Sequence, residues 1–565
     1  MDIRLARVRL RNFRSLEDLV IDFGRTTILL GENNVGKSAI LEGLAIAFGE
    51  RQPVTGDLRV HPDGTSAKNF WIDLRLEPGQ GSAFSASALD VLEKNVLLDT
   101  SAKTQVAYVR AFGEPEPTGR LVRLRRGFVS SWGASADVSL EDLRAGQREA
   151  FAYALLDAQR DLAQELRLRS SPWGRLLRRL RLDAAKRADL EKRLGALATE
   201  VLNAIPDAKA LEDSLNDLGA ALAGLAAPAR LSMIPSRLED LWRTTDLLIA
   251  AQGQTPLTIG AQGMGARSLA ALLAFRAYLE TELTALTEPP LLVVSAFEEP
   301  EAHLHPQAQR AVFDHIRRVP GQTILATHSP YVASVAGMDD YRVVRRQGVV
   351  TVSSSAGITT DQTVDQKALA NVRRFCLHRN GHILFARLVV LGEGDTDAGV
   401  LPELARVWWA ARPEERGVSI VPVDGAGNMR TFARFLSRLG IPWLALVDGD
   451  SGGLDEQRLM QQDPLLASLV PTAVVVVSHE SQPVDIETLI VATARAAVAR
   501  TLSSGDARHT EALMRKADSE LATSLRGCKA WMSQRLGEEL AVEWPEKARF
   551  APAFSELFSR ADRLL

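Results

Sequence analysis

The segment ILLGENNVGKSAILEGL, residues 28–44, constrains the fold of this 565-residue chain more than any other, because a strand-like apolar run, a glycine-rich turn and an apolar helix follow without a break. It matches G-x-x-x-x-G-K-[ST] at Gly31, Gly36, Lys37 and Ser38. Gly31 and Gly36 permit the turn that aims backbone N–H groups at phosphate oxygens. Lys37 then reaches the outer phosphates, and the Ser38 hydroxyl ligates a divalent ion at the helix start. Asn33, Asn34, Gly36, Lys37 and Ser38 are the candidate phosphate-binding set. A strand that feeds a helix in this way belongs to an α/β protein.

Two further acidic sites follow apolar runs. After LLVVSAF come Glu298, Glu299, Pro300 and Glu301, leading into AHLHP. An acid at a buried strand's end holds a magnesium ion or its water, and the next acid orients the attacking water; these roles are assigned to Glu298 and Glu299. TILATHSP is another strand, ending at His328 where a terminal phosphate is sensed. Farther on, LVVLGEGDTDAG and LALVDGD set Glu393, Asp397, Asp448 and Asp450 just past two strand-like runs, at the carboxyl edge where open α/β sheets collect ligands. Hard oxygen donors there suit Mg²⁺ or Mn²⁺, and two ions about 3.5–4 Å apart serve in-line displacement at phosphorus. VVVVSHESQPVDIETLI adds Asp485 and Glu487, of which Glu487 is the candidate extra ligand. Lys529 is the candidate cation for the transition state.

LRNFRSLEDLVIDF, GENNVGKS and EEPEAHLHP together resemble the ABC-type ATPase head of the RecF and SMC group, with Glu298 where aspartate is usual. AQGMGARSLAALLAF, with Gly263, Gly265 and Ser268, occupies the place of that group's signature motif but departs from LSGGQ. The resemblance implies ATP as ligand and a homodimer in which one subunit's signature completes the other's nucleotide site. Glu393 with the Asp448/Asp450 pair resembles the Toprim fold. An ATPase head fused to a Toprim domain is the layout of the OLD (overcoming lysogenization defect) family of nucleases, which includes the Gabija nuclease. The implied activity is metal-dependent DNA cleavage in phage defence or DNA repair, with a helicase as a further partner in the Gabija-like case.

The expected architecture has four parts. An ATPase head with an antiparallel lobe spans 1–139 and resumes over 251–380 with the signature, second acidic site and His328. A helical insertion covers 140–250, and a Toprim domain with a Rossmann-like parallel sheet covers 381–565. Strand-like segments FWIDLRLEP, QVAYVRAF and RLVRLRRGF mark the lobe, and FAYALLDAQRDLAQELRLR and ADLEKRLGALATEVLNAI carry apolar residues at helical spacing. Ten basic residues between Arg167 and Arg193 offer either a DNA-contacting or a solvated face, and the apolar stripes offer a dimer contact. The polar stretch from Arg345 to about Arg379 reads as a connection.

Composition narrows the alternatives. The net charge is −3, so nucleic-acid contact has to come from a local patch. No apolar run approaches a membrane span and the amino terminus lacks a signal peptide's apolar core, so the expected location is cytoplasmic. Two cysteines are too few for a primase zinc site, and all five tyrosines precede Glu393, outside any recognisable topoisomerase cleavage domain. The competing reading is an ATP-gated DNA-binding clamp of RecF type without nuclease activity.

Overall fold

The computed structural model describes residues 2–117, 121–157, 184–205, 248–249, 257–285, 290–347, 350–355, 370–374, 380–527 and 530–565. The chain opens with β1 (Ile3–Phe13), β2 (Leu16–Asp22), β3 (Thr26–Leu30) and helix α1 (Lys37–Phe48), then β4 (Phe70–Pro78), β5 (Leu97–Asp99), β6 (Thr104–Pro115), β7 (Val122–Phe128) and the short β8 (Glu141–Asp142). All of these strands but β3 build the expected antiparallel lobe, in the order β2-β1-β4-β6-β7-β8 with β5 on β6. In β1, Ile3, Leu5, Val8, Leu10 and Phe13 go to the core, while Arg7 and Arg9 pair across the strand with Asp22 and Asp18. Deep in the lobe the fully buried Arg110 forks onto Asp73 (2.6 and 2.9 Å) and donates to the carbonyls of Ala134 and Ser135, so every direction of its charge is met.

The second sheet carries the phosphate-binding turn. It contains β9 (Phe151–Leu156), β10 (Leu292–Glu298), β11 (Gln322–Ala326), β12 (Tyr341–Gln347) and β13 (Val350–Ser355), in the order β13-β12-β3-β11-β10-β9. Pairings within β12-β3-β11-β10-β9 are parallel, so β3, β10 and β11 release their loops at one edge. Two expectations are corrected here. FAYALL begins the segment read as a helical insertion, yet it forms β9 in parallel register with Leu292–Phe297. A six-residue apolar run is ambiguous by periodicity, and the open edge of β10 decides it. Likewise the first ten residues of the supposed connection after Arg345 fall largely in the β12–β13 hairpin. Of the expected inserted module, helix α2 (Ala184–Ala204) is described; SSPWG and the basic residues from Arg167 to Arg181 lie outside the described residues.

After α2 come α3 (Met264–Ala285), α4 (Pro306–Ile316) and α5 (Pro330–Val335). The carboxyl-terminal domain alternates β14 (Leu388–Gly392), α6 (Asp395–Trp409), β15 (Val418–Pro422), β16 (Trp443–Val447), α7 (Ser451–Gln462), β17 (Val474–Val476) and α8 (Ile486–Thr493), with α9 (Ala530–Glu543) and α10 (Pro552–Leu564) near its end. Its four strands run parallel in the order β15-β14-β16-β17, the expected Rossmann-like sheet. Strands β14 and β16 are buried throughout, as a sheet covered on both faces requires. One apolar cluster lies between the two amino-terminal sheets around α1. A second begins under the phosphate-binding sheet at Ile28, Phe275 and Phe297 and continues without interruption into Leu388–Leu391 and Phe554–Phe558 of the last domain. Among the described residues no helix is long and apolar enough to cross a membrane.

Candidate functional sites

The loops leaving β3, β10 and β11 enclose a cavity of about 730 Å³ lined by Asn33, Asn34, Gly36, Lys37, Ser38, Glu298, Glu299 and His328. The parallel order of these three strands therefore brings together residues up to almost three hundred positions apart. Gly31 turns at φ 146°, and a Cβ there would lie 2.1 Å from the Val344 carbonyl oxygen, so the turn can rest on β12 only as glycine. Lys37 is buried, and its Nζ donates back to the carbonyls of Gly31 (2.8 Å) and Glu32 (2.7 Å). Burial pushes the Lys37 ammonium down to about 8, against the pull of Glu299 and Glu298. Ser38 bonds to Glu298, whose pKa burial raises. That adjacency of a hydroxyl and a carboxylate is the donor pair a nucleotide-bound divalent ion takes.

Across the cavity, His328 Nε2 stands 3.8 Å from Glu299 Oε1. Burial and then Lys37 hold the imidazole below its usual pKa, while Glu299 acts in the opposite sense. Glu299 itself adopts φ 42°, a conformation non-glycine residues enter rarely. Gly263, Gly265 and Ser268 do not line this cavity. They lie at the start of α3, where the Gly265 Cβ position is 2.9 Å from the His303 carbonyl oxygen.

The second centre lies at the carboxyl ends of the neighbouring strands β14 and β16. Glu393 Oε1 accepts from the Asp448 amide at 2.8 Å, and Asp448 Oδ1 accepts from the Ile486 amide at 2.9 Å, so three chain segments are tied together by the acids themselves. Asp450 caps α7 through the Gly453 amide (2.8 Å). Buried Asp397 accepts from Gly394 N (3.1 Å), and Glu487 at the head of α8 accepts from Thr396 Oγ1 (2.7 Å). Burial, followed by repulsion among these carboxylates, pushes Asp448 up to about 8; burial raises Asp397 to about 7 and Glu393 above its usual value. An all-oxygen, mutually repelling set suits a hard dication, which relieves both penalties. Among the described residues, however, no three acids, imidazoles or thiols are already arranged to hold a metal ion. Backbone amides occupy Glu393, Asp397, Asp448 and Asp450 instead, and the Thr396 hydroxyl occupies Glu487.

Lys529 lies outside the described residues. The nearby cation that is described, Arg526, pairs with Asp485; burial opposes ionisation of Asp485, but its bonds from Thr488 and Arg526 prevail and hold its pKa down. Asp485 also caps α8, so it is committed to structure. Two residues that shape these sites carry no role in the sequence reading, although Glu301 lies within its second acidic site. Glu301 grips the His328 loop, and Gly453 packs against Asp448. The last glycine of DGDSGG was a usable signal, since glycine in a helix's first turn is unfavourable unless close packing requires it.

A family model described as "Overcoming lysogenization defect protein-like, TOPRIM domain" matches residues 384–450, and one described as "AAA ATPase domain" matches 3–109 and 138–333. The chain is 27% identical over 475 residues to the "OLD nuclease" of Thermus scotoductus (strain ATCC 700910 / SA-01), covering 80% of this chain and 83% of that one. It is 25% identical over 479 residues to the "Uncharacterized protein YbjD" of Escherichia coli (strain K12), covering 80% of each. A solved Smc head domain with an extended coiled coil, bound to the C-terminal domain of ScpA derived from Pyrococcus furiosus, aligns with 66% of this chain and 100% of that one at 15% identity and a TM-score of 0.35.

Proposed function

Because the chain belongs to the AAA ATPase domain family over more than half its length and carries an OLD-like Toprim domain behind it, we propose that it is an ATP-hydrolysing, divalent-metal-dependent DNA endonuclease acting as a homodimer. The observation that carries the reading is the meeting of Glu393 and Asp448 at adjacent parallel strand ends, with Asp397, Asp450 and Glu487 around them. Glu393, Asp397, Asp448, Asp450 and Glu487 are the proposed ligands of Mg²⁺ or Mn²⁺, two per site. The ions would polarise the phosphodiester and lower the pKa of bound water. The protein's own part is to hold five oxygen donors at a sheet edge and to keep their charges close until cations neutralise them.

In the head, Lys37 is the proposed partner of the outer phosphates of ATP, with Asn33, Asn34 and Gly36 lining their cradle. Ser38 and Glu298 take its magnesium ion, Glu299 orients the attacking water and His328 contacts the γ-phosphate. Gly263, Gly265 and Ser268 stand outside their own chain's cavity, which supports a role in completing the nucleotide site of a second copy. The proposed setting is cytoplasmic phage defence or DNA repair, with Lys529 as a transition-state cation and a helicase as a further partner. One observation favours the competing ATP-gated clamp: among the described residues the carboxylates are bonded to backbone amides and to the Thr396 hydroxyl rather than gathered around a shared point.

Plasmid cleavage in Mg²⁺ and in Mn²⁺ separates the two. The expected result is nicked or linear DNA from the wild type and none from Asp448→Ala combined with Asp450→Ala, whose ATP turnover persists. A wild type that binds DNA in response to ATP but cuts nothing in either metal makes the protein a clamp.

A further inference from the structure

Glu301 does not line the nucleotide cavity, yet it holds one of the cavity's walls. Its side chain is 7% exposed, and Oε1 alone gathers three donors from three consecutive residues at the end of β11: Thr327 Oγ1 at 2.6 Å, the His328 amide at 3.0 Å and the Ser329 amide at 3.2 Å. Oε2 is buried with no hydrogen-bond partner. A buried polar atom left unmatched is unfavourable, so the geometry is retained at a penalty and the three bonds to the other oxygen have to outweigh it. Two of those bonds grip the amides on either side of the His328 Cα.

The grip is reinforced from α4. Gln309 Oε1 accepts from Ser329 Oγ at 2.6 Å, and its Nε2 donates to the Leu304 carbonyl at 2.9 Å, so the loop after β10 and the loop after β11 are tied at two points. Glu299, which faces His328 at 3.8 Å, lies two residues from Glu301 in the same turn, closed by the Ala302 amide on the Glu299 carbonyl (3.0 Å). The head of α3 rests on the next residue of that loop but one, at the His303 carbonyl.

We propose that Glu301 is a positioning residue for ATP hydrolysis: it sets His328 opposite Glu299 across the terminal phosphate and joins that pair to the loop under α3. The inference rests on the ATPase reading above. Without Glu301 the Thr327–Ser329 loop loses its shared acceptor, and displacement of a catalytic group by about 1 Å costs on the order of a hundredfold in rate. Because Glu301 bonds to the Thr327–Ser329 loop and not to the phosphate cradle of Asn33 to Ser38, the loss falls on turnover more than on binding.

The test is steady-state ATP turnover and nucleotide binding by the full-length protein. Glu301→Ala is expected to lower kcat by about 10- to 100-fold while KM and ATP affinity stay within about twofold of wild type. Glu301→Gln keeps an acceptor oxygen at Oε1 and is expected to recover most of the rate. His328→Ala should reduce kcat in the wild type but add little to Glu301→Ala, since the two then disable the same element. If Glu301→Ala fails to fold, Glu301→Asp, which retains the charge but withdraws it by one methylene, is expected to give the same kcat-selected loss. Unchanged kcat in the folded variant, or full additivity with His328→Ala, overturns the inference alone. A wild type that binds ATP and never hydrolyses it overturns the ATPase reading, and this inference falls with it.

Discussion

At the scale of the residue, Lys37 shows how an ordinary side chain is prepared for a highly charged ligand. Buried and bonded to two carbonyls, it has a pKa of about 8, so near that pH a large part of the population is neutral. Phosphate oxygens favour the ammonium form, so ATP binding takes up a proton where free Lys37 has lost one. The sign follows: affinity for ATP should be full below pH 7 and fall as pH rises through 8 and beyond, with proton uptake measurable by calorimetry in buffers of different ionisation enthalpy. Lys37→Met should abolish both the uptake and the binding. A flat affinity from pH 7 to 10 would contradict the assignment. The phosphate-binding residues were legible because their chemistry is local, all within eight consecutive positions. The grip of Glu301 was not, because its partners lie 26, 27 and 28 residues away and no spacing rule connects a loop to the end of the next strand.

At the scale of the element, the carboxyl-terminal site depends on how closely α7 approaches the end of β16. A Cβ on Gly453 would lie 2.2 Å from the Asp448 carbonyl oxygen and 2.9 Å from Glu393 Oε1, and backbone cannot yield that far. Gly453→Ala should therefore displace α7 and separate Glu393 from Asp448, with at least about a tenfold loss of metal-supported cleavage and ATP turnover unaffected. Retention of full cleavage by that variant would mean that the helix can shift without disturbing the acids. Strand ends were read well from sequence because LVVL and LALV are short, wholly apolar runs closed within two residues by acids, a pattern that a parallel sheet buried on both faces accommodates. FAYALL failed for the complementary reason. Its apolar residues continue into a stretch with helical spacing, and what makes it a strand is the edge of β10, supplied by residues about 140 positions later.

At the scale of the molecule, the two centres are physically joined. Arg387, the last residue before β14, forks onto Glu32 in the phosphate-binding turn at 2.9 and 3.2 Å, while Arg345 of β12 donates to the carbonyls of Ala386 and Arg387. Nearby, Phe385 stacks on His328 with ring centroids 6.3 Å apart. The Glu32–Arg387 pair is substantially exposed and contributes only about 0–1 kcal/mol to stability, so its removal should leave the fold intact. Arg387→Ala is expected to keep nucleotide-free cleavage and ATP turnover but to reduce the change that ATP produces in the cleavage rate. A ratio of cleavage with and without ATP equal to that of the wild type would remove Arg387 from any communication between the sites. Sequence reading divided the chain near residue 380 on polarity, and nothing in a polar stretch reports what packs across it.

That packing has a practical corollary. Since greasy side chains run unbroken from beneath β3 and β10 through β14 to α10, cutting the chain at the join would lay bare the apolar surface on which the two parts meet. The severed halves should clump when expressed apart, and heating the whole chain should melt both halves in one transition.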